Sequence, residues 1–302
     1  MTRVFPNLFI PGAAKSGTTS LHDLLNCHPD ICMSMVKEPV FWNSSSYKNP
    51  KKIGWYNDLF EDHQAQILGE STTSYMYYPE FISAINEYYA DPPKFIFILR
   101  NPIDRSYSHF WWMCGRGQEN RSFRESLTAD ANREFEAYGY LPNYYYHFGL
   151  YGKWIKRFYD NFGQDQVKLI TLENLVSDRT ETLNSCFRFL GVKEMSSIPE
   201  ISANETSKLK YPKLFHFINK TASGKYRYTK VAKYLMTRQR IEKIKKKLRD
   251  MPYFKSAEKL EYPEMSIDER KWVKHLYTED VAQLKQLSRR DFNEWIDFNN
   301  KQ

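Results

Sequence analysis

The run KFIFILR, from Lys94 to Arg100, constrains the fold more than any other part of the sequence. Five consecutive apolar residues between charged ends favour a strand that is buried on both faces, as the strands of parallel sheets are. Shorter runs at Asn7 to Gly12, Gln66 to Gly69 and Gln166 to Glu173 predict three further strands, and helical sequence follows each of them. This alternation predicts an α/β fold with one domain, in which helices flank a central parallel sheet.

Local signals mark the beginnings of several helices. A helix is predicted from about Glu80 and another after Pro102, where proline suits the first turn. Asp178 and Ser266 each stand three residues before a glutamate, which is the spacing of an N-terminal capping box. From Ser202 to about Tyr262 the pattern loosens, and we expect irregular chain with short helices.

Composition excludes several classes of protein. Hydrophobic residues make up 41% of the 302 residues, which is enough for a buried core. No apolar run approaches the roughly 18 residues of a membrane span, and the N-terminus lacks the features of a secretory signal. The four cysteines show no paired metal spacing such as CxxC, and a chain of 302 residues does not need disulfide bonds to fold. We therefore expect a cytoplasmic protein without a bound metal.

The net charge of +8 is concentrated late in the chain. Between Lys208 and Lys259 there are 17 Lys and Arg against 3 acids, which leaves −6 for the remaining residues. Such a segment is either a solvated helix face or a positive rim near an anionic ligand. No helix-turn-helix, zinc-finger or RNP signature accompanies the charge, so nucleic-acid binding is not expected.

The segment GAAKSGTTS, from Gly12 to Ser20, lies between the first predicted strand and the first helix. Anions bind at this position in open α/β sheets, because unpaired N–H groups and the positive helix end point at the ligand. The small residues admit a phosphate, Thr18 and Thr19 offer hydroxyls, and Lys15 brings a mobile charge. The alternative interpretation is a plain tight turn with a surface lysine.

A Walker A loop is the nearest alternative among phosphate-binding motifs. Gly12 and Gly17 have its spacing, but Thr18 occupies the position of its lysine. Lys15 comes two residues before the second glycine, so it cannot reach the same phosphate. Nucleoside triphosphate hydrolysis is therefore the poorer interpretation.

Two motifs resemble the sulfotransferases that use 3′-phosphoadenosine-5′-phosphosulfate (PAPS). PGAAKSGTTSL is similar to their loop for the 5′-phosphosulfate, and FIFILRNPIDRSYSHF, from Phe95 to Phe110, resembles their 3′-phosphate motif. KEPVFWNSSS, GESTTSYMYYP and EYPEMSIDERKW resemble segments of the carbohydrate, heparan sulfate-type branch. The resemblance implies a P-loop-like sulfotransferase fold that takes PAPS as its co-substrate, releases adenosine 3′,5′-bisphosphate (PAP) and needs no metal.

The resemblance also implies roles for individual residues. The implied ligands of the 5′-phosphate are Lys15, Ser16, Gly17, Thr18, Thr19 and Ser20. Lys15 would in addition neutralise the charge on the leaving bridging oxygen. Arg100 and Ser108 would hold the 3′-phosphate, the group that distinguishes PAPS from ATP.

Glu38, in the sequence KEP, is the candidate general base, because heparan sulfate-type enzymes carry a catalytic glutamate in this motif. The aromatic residues that follow it are expected to raise its affinity for protons. The alternative for Glu38 is a surface acid paired with Lys37. Glu70 is a second carboxylate candidate, whereas His109 is expected to be a packed helix residue.

Two features depart from the heparan sulfate-type branch. Ser71 stands where that branch has a lysine after a glutamate. The late Gly-Lys loop that closes over the 3′-phosphate is not recognisable, and Lys208, Lys210 or Lys259 are candidates to replace it. We expect a bacterial relative of these enzymes whose acceptor need not be a glycosaminoglycan.

The predicted function is transfer of the sulfuryl group from PAPS to a hydroxyl or amine of a small-molecule natural product or a carbohydrate. The alternatives are a P-loop nucleotide kinase and a non-catalytic nucleotide- or polyanion-binding protein. The segments from about 113 to 146 and from 202 to 262 match the family least. Because variable loops surround a fixed reaction centre, we expect these segments to form the acceptor mouth.

Overall fold

A five-stranded parallel sheet lies at the centre of the computed structural model, which describes residues 5–136, 143–199 and 262–299 and the backbone of 207–209 and 255–259. Its strands are β1 (Leu8–Ile10), β2 (Ile31–Met33), β3 (Ile67–Ser71), β4 (Lys94–Leu99) and β5 (Val167–Thr171). They are ordered β2-β3-β1-β4-β5, and β6 (Ser207–Leu209) pairs separately with β7 (Lys255–Lys259). The predicted α/β fold class is confirmed.

Helices follow the strands on both faces of the sheet. The α-helices are α1 (Thr18–Leu25), α2 (Pro50–Asn57), α3 (Pro79–Tyr88), α4 (Pro102–Gly115), α5 (Phe123–Ala131), α6 (Tyr151–Phe162), α7 (Leu172–Ser177), α8 (Arg179–Leu190) and α9 (Ile267–Ser288). Short 3₁₀ helices span Ser45–Lys48, Thr73–Met76, His147–Gly149, Gln164–Gln166 and Ile296–Phe298. Among the described helices, none has the length and apolar character needed to cross a bilayer.

Most predicted boundaries agree with the structure to within about two residues. The side chains of Asp178 and Ser266 cap their helices by accepting from the N–H of the glutamate three residues later, at 3.1 and 3.2 Å. Strand β2 was not predicted, because three apolar residues carry no periodic signal. It forms through pairing with β3, in which Cys32 lies opposite Leu68. The stretch from 202 to 262 lies almost entirely outside the described residues. The two described pieces form the paired strands β6 and β7 and not the short helices expected there.

The side chains of β4 alternate between two separate cores. Phe95 and Phe97 point into an aromatic core shared with α3, α4, α6 and α9. Ile96 and Ile98 point into an aliphatic core shared with α1, α7 and α8. Both faces of the strand are therefore buried, which explains why its sequence is apolar at consecutive positions.

Helix α9 holds α6 against the aromatic face of the sheet. The Asp280 carboxylate caps α6 by accepting from the N–H groups of Gly152 and Lys153, at 2.8 and 2.9 Å. A Cβ atom on Gly152 would lie 2.5 Å from the Asp280 carbonyl oxygen, so only glycine permits this approach. Burial raises the pKa of Asp280 to about 6. The contact fixes Tyr151, the first residue of α6, at the edge of the sheet described next.

Candidate functional site

The carboxyl ends of β1 and β4 are neighbours in the sheet, and this brings the Gly12–Ser20 loop next to Arg100. The loop is tied to β4 by two hydrogen bonds, from Ala13 N–H to the Ile98 carbonyl (2.8 Å) and from Ile98 N–H to the Gly12 carbonyl (3.0 Å). Arg100 directly follows β4, and its carbonyl accepts from the Tyr151 hydroxyl at 3.0 Å. The two motifs found in the sequence thus meet at one edge of the sheet.

The first turn of α1 faces out of the loop without a side-chain cap. Gly17 is its N-cap residue, with φ of 90°, and no side chain accepts from the N–H groups of the first turn. A Cβ atom on Gly17 would lie 2.8 Å from Leu172, so both the left-handed backbone and the close contact require glycine. The N–H groups around Thr18 and Thr19 are therefore free to donate hydrogen bonds to a bound anion.

Ser16 supplies a further donor inside the loop. Its side chain is fully buried, and its hydroxyl forms no hydrogen bond of good geometry within the described residues. The Ser16 hydroxyl lies close enough to the Tyr151 phenol to lower the pKa of Tyr151. Burial of Tyr151 has the larger effect and raises this pKa to about 12. A buried hydroxyl without a firm partner is costly, and an oxygen of a bound phosphate would satisfy it.

Lys15 is at the centre of a cluster of positive charge. Its pKa is lowered to about 8, first by burial and then by the nearby guanidinium groups of Arg100, Arg116 and Arg105. Among the described residues, the charged groups with the largest effect on the pKa of Lys15 are thus arginines. Like charges brought together away from water repel each other, so this arrangement is favourable only when an anion neutralises it.

Helix α4 contributes one face to this cluster. Arg105, Ser108, Trp112 and the C-cap residue Arg116 are spaced three, four and four residues apart, which places them on one side of the helix. The Trp112 ring lies 3.8 Å from the Arg116 guanidinium carbon and 5.2 Å from Lys15 Nζ. Of these four residues only Ser108, which is buried here, was predicted from the sequence. The helical spacing of the other three from Ser108 is the signal that would have revealed them.

Arg105 is a fully buried cation in this cluster. It donates to the Tyr145 carbonyl, and its other guanidinium nitrogen lies 3.4 Å from His109 Nδ1. Within the described residues its Nε–H has no partner. His109 packs against the Tyr145 ring at 5.2 Å between centroids, as expected of a packed helix residue.

Glu38 lies in the loop after β2 and faces the turn after β3. Its N–H donates to the Ser71 carbonyl at 2.9 Å. Its carboxylate accepts from the Thr73 N–H at 3.0 Å and from the Thr73 hydroxyl at 3.1 Å. Lys37 Nζ lies 2.8 Å from the same carboxylate, and the Glu38 side chain is 38% exposed. Glu38 is therefore a held but accessible carboxylate at the sheet edge that also carries Lys15.

The surroundings of Glu38 differ from those expected from the sequence. Phe41 and Trp42, which were expected to lie beside the carboxylate, are buried in the aromatic core. The carboxylate contacts Thr73 and Lys37 instead, so the ion pair with Lys37 that was the alternative interpretation is present. The reason is geometric, because consecutive residues of the loop point in different directions.

Lys15 and Glu38 share an uncommon backbone conformation. Their φ angles are 68° and 59°, in the left-handed region that side chains other than glycine adopt at a cost of roughly 1–2 kcal/mol. Only three other described non-glycine residues, Val40, Arg289 and Phe292, have positive φ. Strained backbone is concentrated at functional sites. The conformation of Lys15 and Glu38 is therefore a second, independent indication that both residues are functional.

Glu70, the other carboxylate candidate, is fully buried on β3. It accepts from the hydroxyls of Tyr56, Thr72 and Tyr75. Burial raises its pKa to about 7, although the three donors act in the opposite direction. Because no part of the side chain is exposed, an acceptor cannot contact it directly.

The described residues contain no group of three His, Cys, Asp or Glu side chains that could hold a metal ion. All four cysteines are free thiols. The chemistry available at this edge of the sheet is therefore that of Lys15, the surrounding arginines, the uncapped helix and Glu38. This donor set suits a ligand with several phosphate or sulfate groups.

Comparison with known families identifies the class of protein. Residues 5–261 match the model of the sulfotransferase domain, and the chain belongs to this family. A solved sulfotransferase from Alicyclobacillus acidocaldarius is 26% identical, with a TM-score of 0.67 over 97% of this chain and 99% of that one. The cation cluster and the loop thus lie in a sulfotransferase fold.

Two of the curated relatives are heparan sulfate enzymes of Mus musculus. Heparan sulfate glucosamine 3-O-sulfotransferase 3A1 is 30% identical over 208 residues, covering 68% of this chain and 50% of that protein. The bifunctional heparan sulfate N-deacetylase/N-sulfotransferase 1 is 28% identical over 208 residues, covering 62% of this chain and 22% of that protein. The chain therefore spans about half the length of the first relative and less of the second.

The lowered pKa of Lys15 predicts a proton-linked affinity for PAP. Only protonated Lys15 pairs with phosphate, so the affinity should change little below pH 8 and fall about tenfold per pH unit above it. Calorimetric titration of PAP at several pH values from 7 to 10 measures this dependence. The Lys15→Met variant should bind PAP more weakly and without the slope, and a slope that persists in this variant would contradict the assignment.

Proposed function

We propose that this protein transfers the sulfuryl group from PAPS to a hydroxyl or amine of a small-molecule or carbohydrate acceptor. The observation that carries the proposal is the cluster of Lys15, Arg100, Arg105 and Arg116 at an uncapped helix N-terminus. Such a cluster of cations, of which Arg105 is fully buried, suits a ligand with several negative charges in one place. PAPS has three phosphorus- or sulfur-centred anionic groups and fits this requirement.

Two separate parts of the cluster suit the two ends of PAPS. The loop residues Lys15, Ser16, Gly17, Thr18, Thr19 and Ser20 would hold the 5′-phosphosulfate through N–H groups, hydroxyls and the ammonium. Arg100 and Ser108 would hold the 3′-phosphate, as the family motif implies. The adjoining positions of β1 and β4 in the sheet support this division.

The proposed chemistry divides between Lys15 and Glu38. PAPS supplies the activated sulfuryl group, and the protein supplies orientation and charge. Lys15 stabilises negative charge as it develops on the bridging oxygen that leaves with PAP. Glu38 accepts the proton of the acceptor hydroxyl or amine, and the two Thr73 hydrogen bonds hold its carboxylate in one orientation.

A P-loop kinase is the alternative for the same loop. It needs a lysine next to the second glycine and a hydroxyl in frame for magnesium, and this chain has Thr18 at the lysine position. A non-catalytic nucleotide binder would make no use of Glu38, whose strained backbone and Thr73 contacts favour an enzyme. Calorimetry with PAP beside ATP and magnesium separates the kinase from the sulfotransferase.

We propose further that the whole chain, residues 1–302, forms one domain. The family match ends at residue 261, but α9 packs on α6 and its Arg270 forms ion pairs with Asp104 of α4 at 2.7 Å. The acceptor side is proposed to involve the segments 113–146 and 202–262. Of these, the structure describes 113–136, 143–146 and 262, and the backbone of 207–209 and 255–259. Tyr144 and Tyr145 are buried rather than open to an acceptor.

Removal of the Arg100 guanidinium should abolish discrimination between PAP and AMP. The wild-type protein should bind PAP far more tightly than AMP, and Arg100→Ala should weaken PAP binding by ~2–4 kcal/mol while leaving AMP nearly unaffected. Calorimetry with both nucleotides measures the difference. Arg124→Ala, which removes an exposed arginine of α5, is the matched control and should leave both affinities unchanged. Equal affinities for PAP and AMP in the wild-type protein would sink the 3′-phosphate site.

Glu38→Gln should separate catalysis from cofactor binding. The amide has the size of the carboxylate but cannot accept the acceptor proton, so turnover should fall ~100-fold or more while PAP affinity stays the same. PAP release from PAPS in the presence of an acceptor panel reports turnover, and calorimetry reports affinity. Glu61→Gln, at an exposed glutamate between α2 and β3, is the control. Full turnover in Glu38→Gln would exclude Glu38 as the base.

A further inference from the structure

The buried carboxylate of Glu70 organises two hydroxyl groups that face the Glu38 loop. Tyr75 donates to Glu70 at 3.2 Å, and Tyr56 donates to the same oxygen. Each phenol has a single proton, and each directs it at Glu70. The lone pairs of both phenol oxygens are therefore left to accept from other donors.

Those donors belong to the chain that continues from Glu38. The Tyr75 hydroxyl accepts from the N–H groups of Phe41 and Trp42, at 3.0 and 3.2 Å. The Tyr56 hydroxyl accepts from the Trp42 indole N–H at 3.0 Å. Three donors of the segment 38–42 are thus held by hydroxyls whose direction Glu70 determines.

Glu70 also acts on the other side of Glu38. Thr72 donates its hydroxyl to Glu70, and the next residue, Thr73, makes both hydrogen bonds to the Glu38 carboxylate. The strand β3 that carries Glu70 further accepts the Glu38 N–H at the Ser71 carbonyl. The loop of Glu38 is therefore fixed from both ends by groups that converge on one buried carboxylate.

We infer that Glu70 is a positioning residue that holds the Glu38 loop in its left-handed conformation through Tyr75, Tyr56 and Thr72. The inference rests on the proposed function for the role of Glu38, but the structural part does not. A carboxyl group inside an aromatic core is costly, and a requirement for a fixed loop gives a reason for its presence.

Hydrogen exchange tests the structural part without an acceptor. In Tyr75→Phe and Glu70→Gln, the amides of Glu38, Val40, Phe41 and Trp42 should exchange at least tenfold faster than in the wild-type protein, while the amides of β1 and β4 keep their protection. Tyr88→Phe is the matched control, because it also removes one tyrosine hydrogen bond, to the Tyr47 carbonyl, away from Glu70. Unchanged exchange of residues 38–42 in both variants would overturn the inference, as would equal acceleration in the control.

A double-mutant cycle tests the catalytic part. Glu70→Gln alone should lower turnover at least tenfold with PAP affinity unchanged, and it should have little further effect in the Glu38→Gln background. Additive losses would overturn the inference, because they would mean that Glu70 acts independently of Glu38. If neither variant of the cycle affects turnover but PAP still binds, the assigned base is wrong while the cofactor site stands. Tyr75→Phe, which retains the charge of Glu70, replaces Glu70→Gln if that variant does not fold.

A second inference concerns the chemical class of the acceptor. Seven large apolar side chains are strongly exposed among the described residues, and three of them flank Glu38. These are Met35, Val36 and Val40, which are 57%, 45% and 45% exposed. Scattered apolar residues on a surface are ordinary, whereas a group of three around a candidate base indicates a contact surface.

Charge at the same loop is sparse. From Ser34 to Ser44 the sequence contains one cation, Lys37, which is already paired with Glu38. Recognition of a polyanionic acceptor generally needs several free cations, and these would have to come from outside this loop, as from the basic segment 208–259. Besides Glu38 itself, the large side chains that this loop exposes are thus apolar.

We propose, on the basis of the proposed function, that the acceptor is an alcohol whose hydroxyl adjoins an apolar body that packs on Met35, Val36 and Val40. For primary alcohols of 4 to 12 carbons with PAPS, kcat/KM should rise about threefold to fourfold per added methylene until the surface is covered. Serine at the three positions should flatten this dependence without changing PAP affinity. Val176→Ser, at an exposed valine of α7 on the opposite sheet edge, should leave it intact.

An anionic heparan oligosaccharide serves as the competing acceptor in the same assay. Turnover of the oligosaccharide together with a flat alcohol series, or no transfer to any alcohol, overturns the acceptor class. Neither of these two results contradicts the proposed sulfotransferase function, provided that the protein binds PAP and prefers it to AMP. Failure to bind PAP contradicts the proposed function itself.

Discussion

The adjacency of β1 and β4 is the constraint on which the site depends. Parallel strands have their carboxyl ends at one edge, so two neighbouring strands must deliver the residues that follow them to the same place. The Phe and Ile residues that alternate along β4 bury both faces of that strand, and this leaves its register no freedom. The loop with Lys15 and the guanidinium of Arg100 meet because of this packing, although 84 residues separate them in the sequence.

The positive cluster at this edge depends on neighbouring polar groups of the protein to hold its cations in place. Lys15 is depressed in pKa by burial and by three arginines, and Arg105 is wholly inside the protein. Arg105 is held by the Tyr145 carbonyl and by His109 rather than by any carboxylate of the described residues. An enzyme that holds such charge in readiness meets an anionic ligand with little reorganisation, which is the basis of electrostatic catalysis.

The surroundings of Glu38 follow the opposite principle, with one exposed carboxylate held by the N–H and hydroxyl of Thr73 and by Lys37. Glu38 keeps 38% of its side chain exposed, while its loop is fixed through Thr73 and the hydroxyls around Glu70. Exposure lets an acceptor reach the carboxylate, and the fixed loop limits the orientations it adopts. Of the two carboxylates in this region, Glu38 is accessible and Glu70 makes the loop rigid. One group could not do both, because a fully buried carboxylate is not open to a substrate.

The sequence by itself determined the α/β class, four of the five sheet strands and the two motifs at Lys15 and Arg100, because these are local patterns of apolar runs, glycines and charges. It also named Glu38 and Ser108. The tertiary structure alone decided that ICM forms β2 and that Arg105, Trp112 and Arg116 join Lys15. It also decided that Phe41 and Trp42 turn into the core and leave Glu38 with Thr73 and Lys37. These features depend on contacts between residues distant in the chain, and local propensity carries no record of which distant partner a side chain will meet.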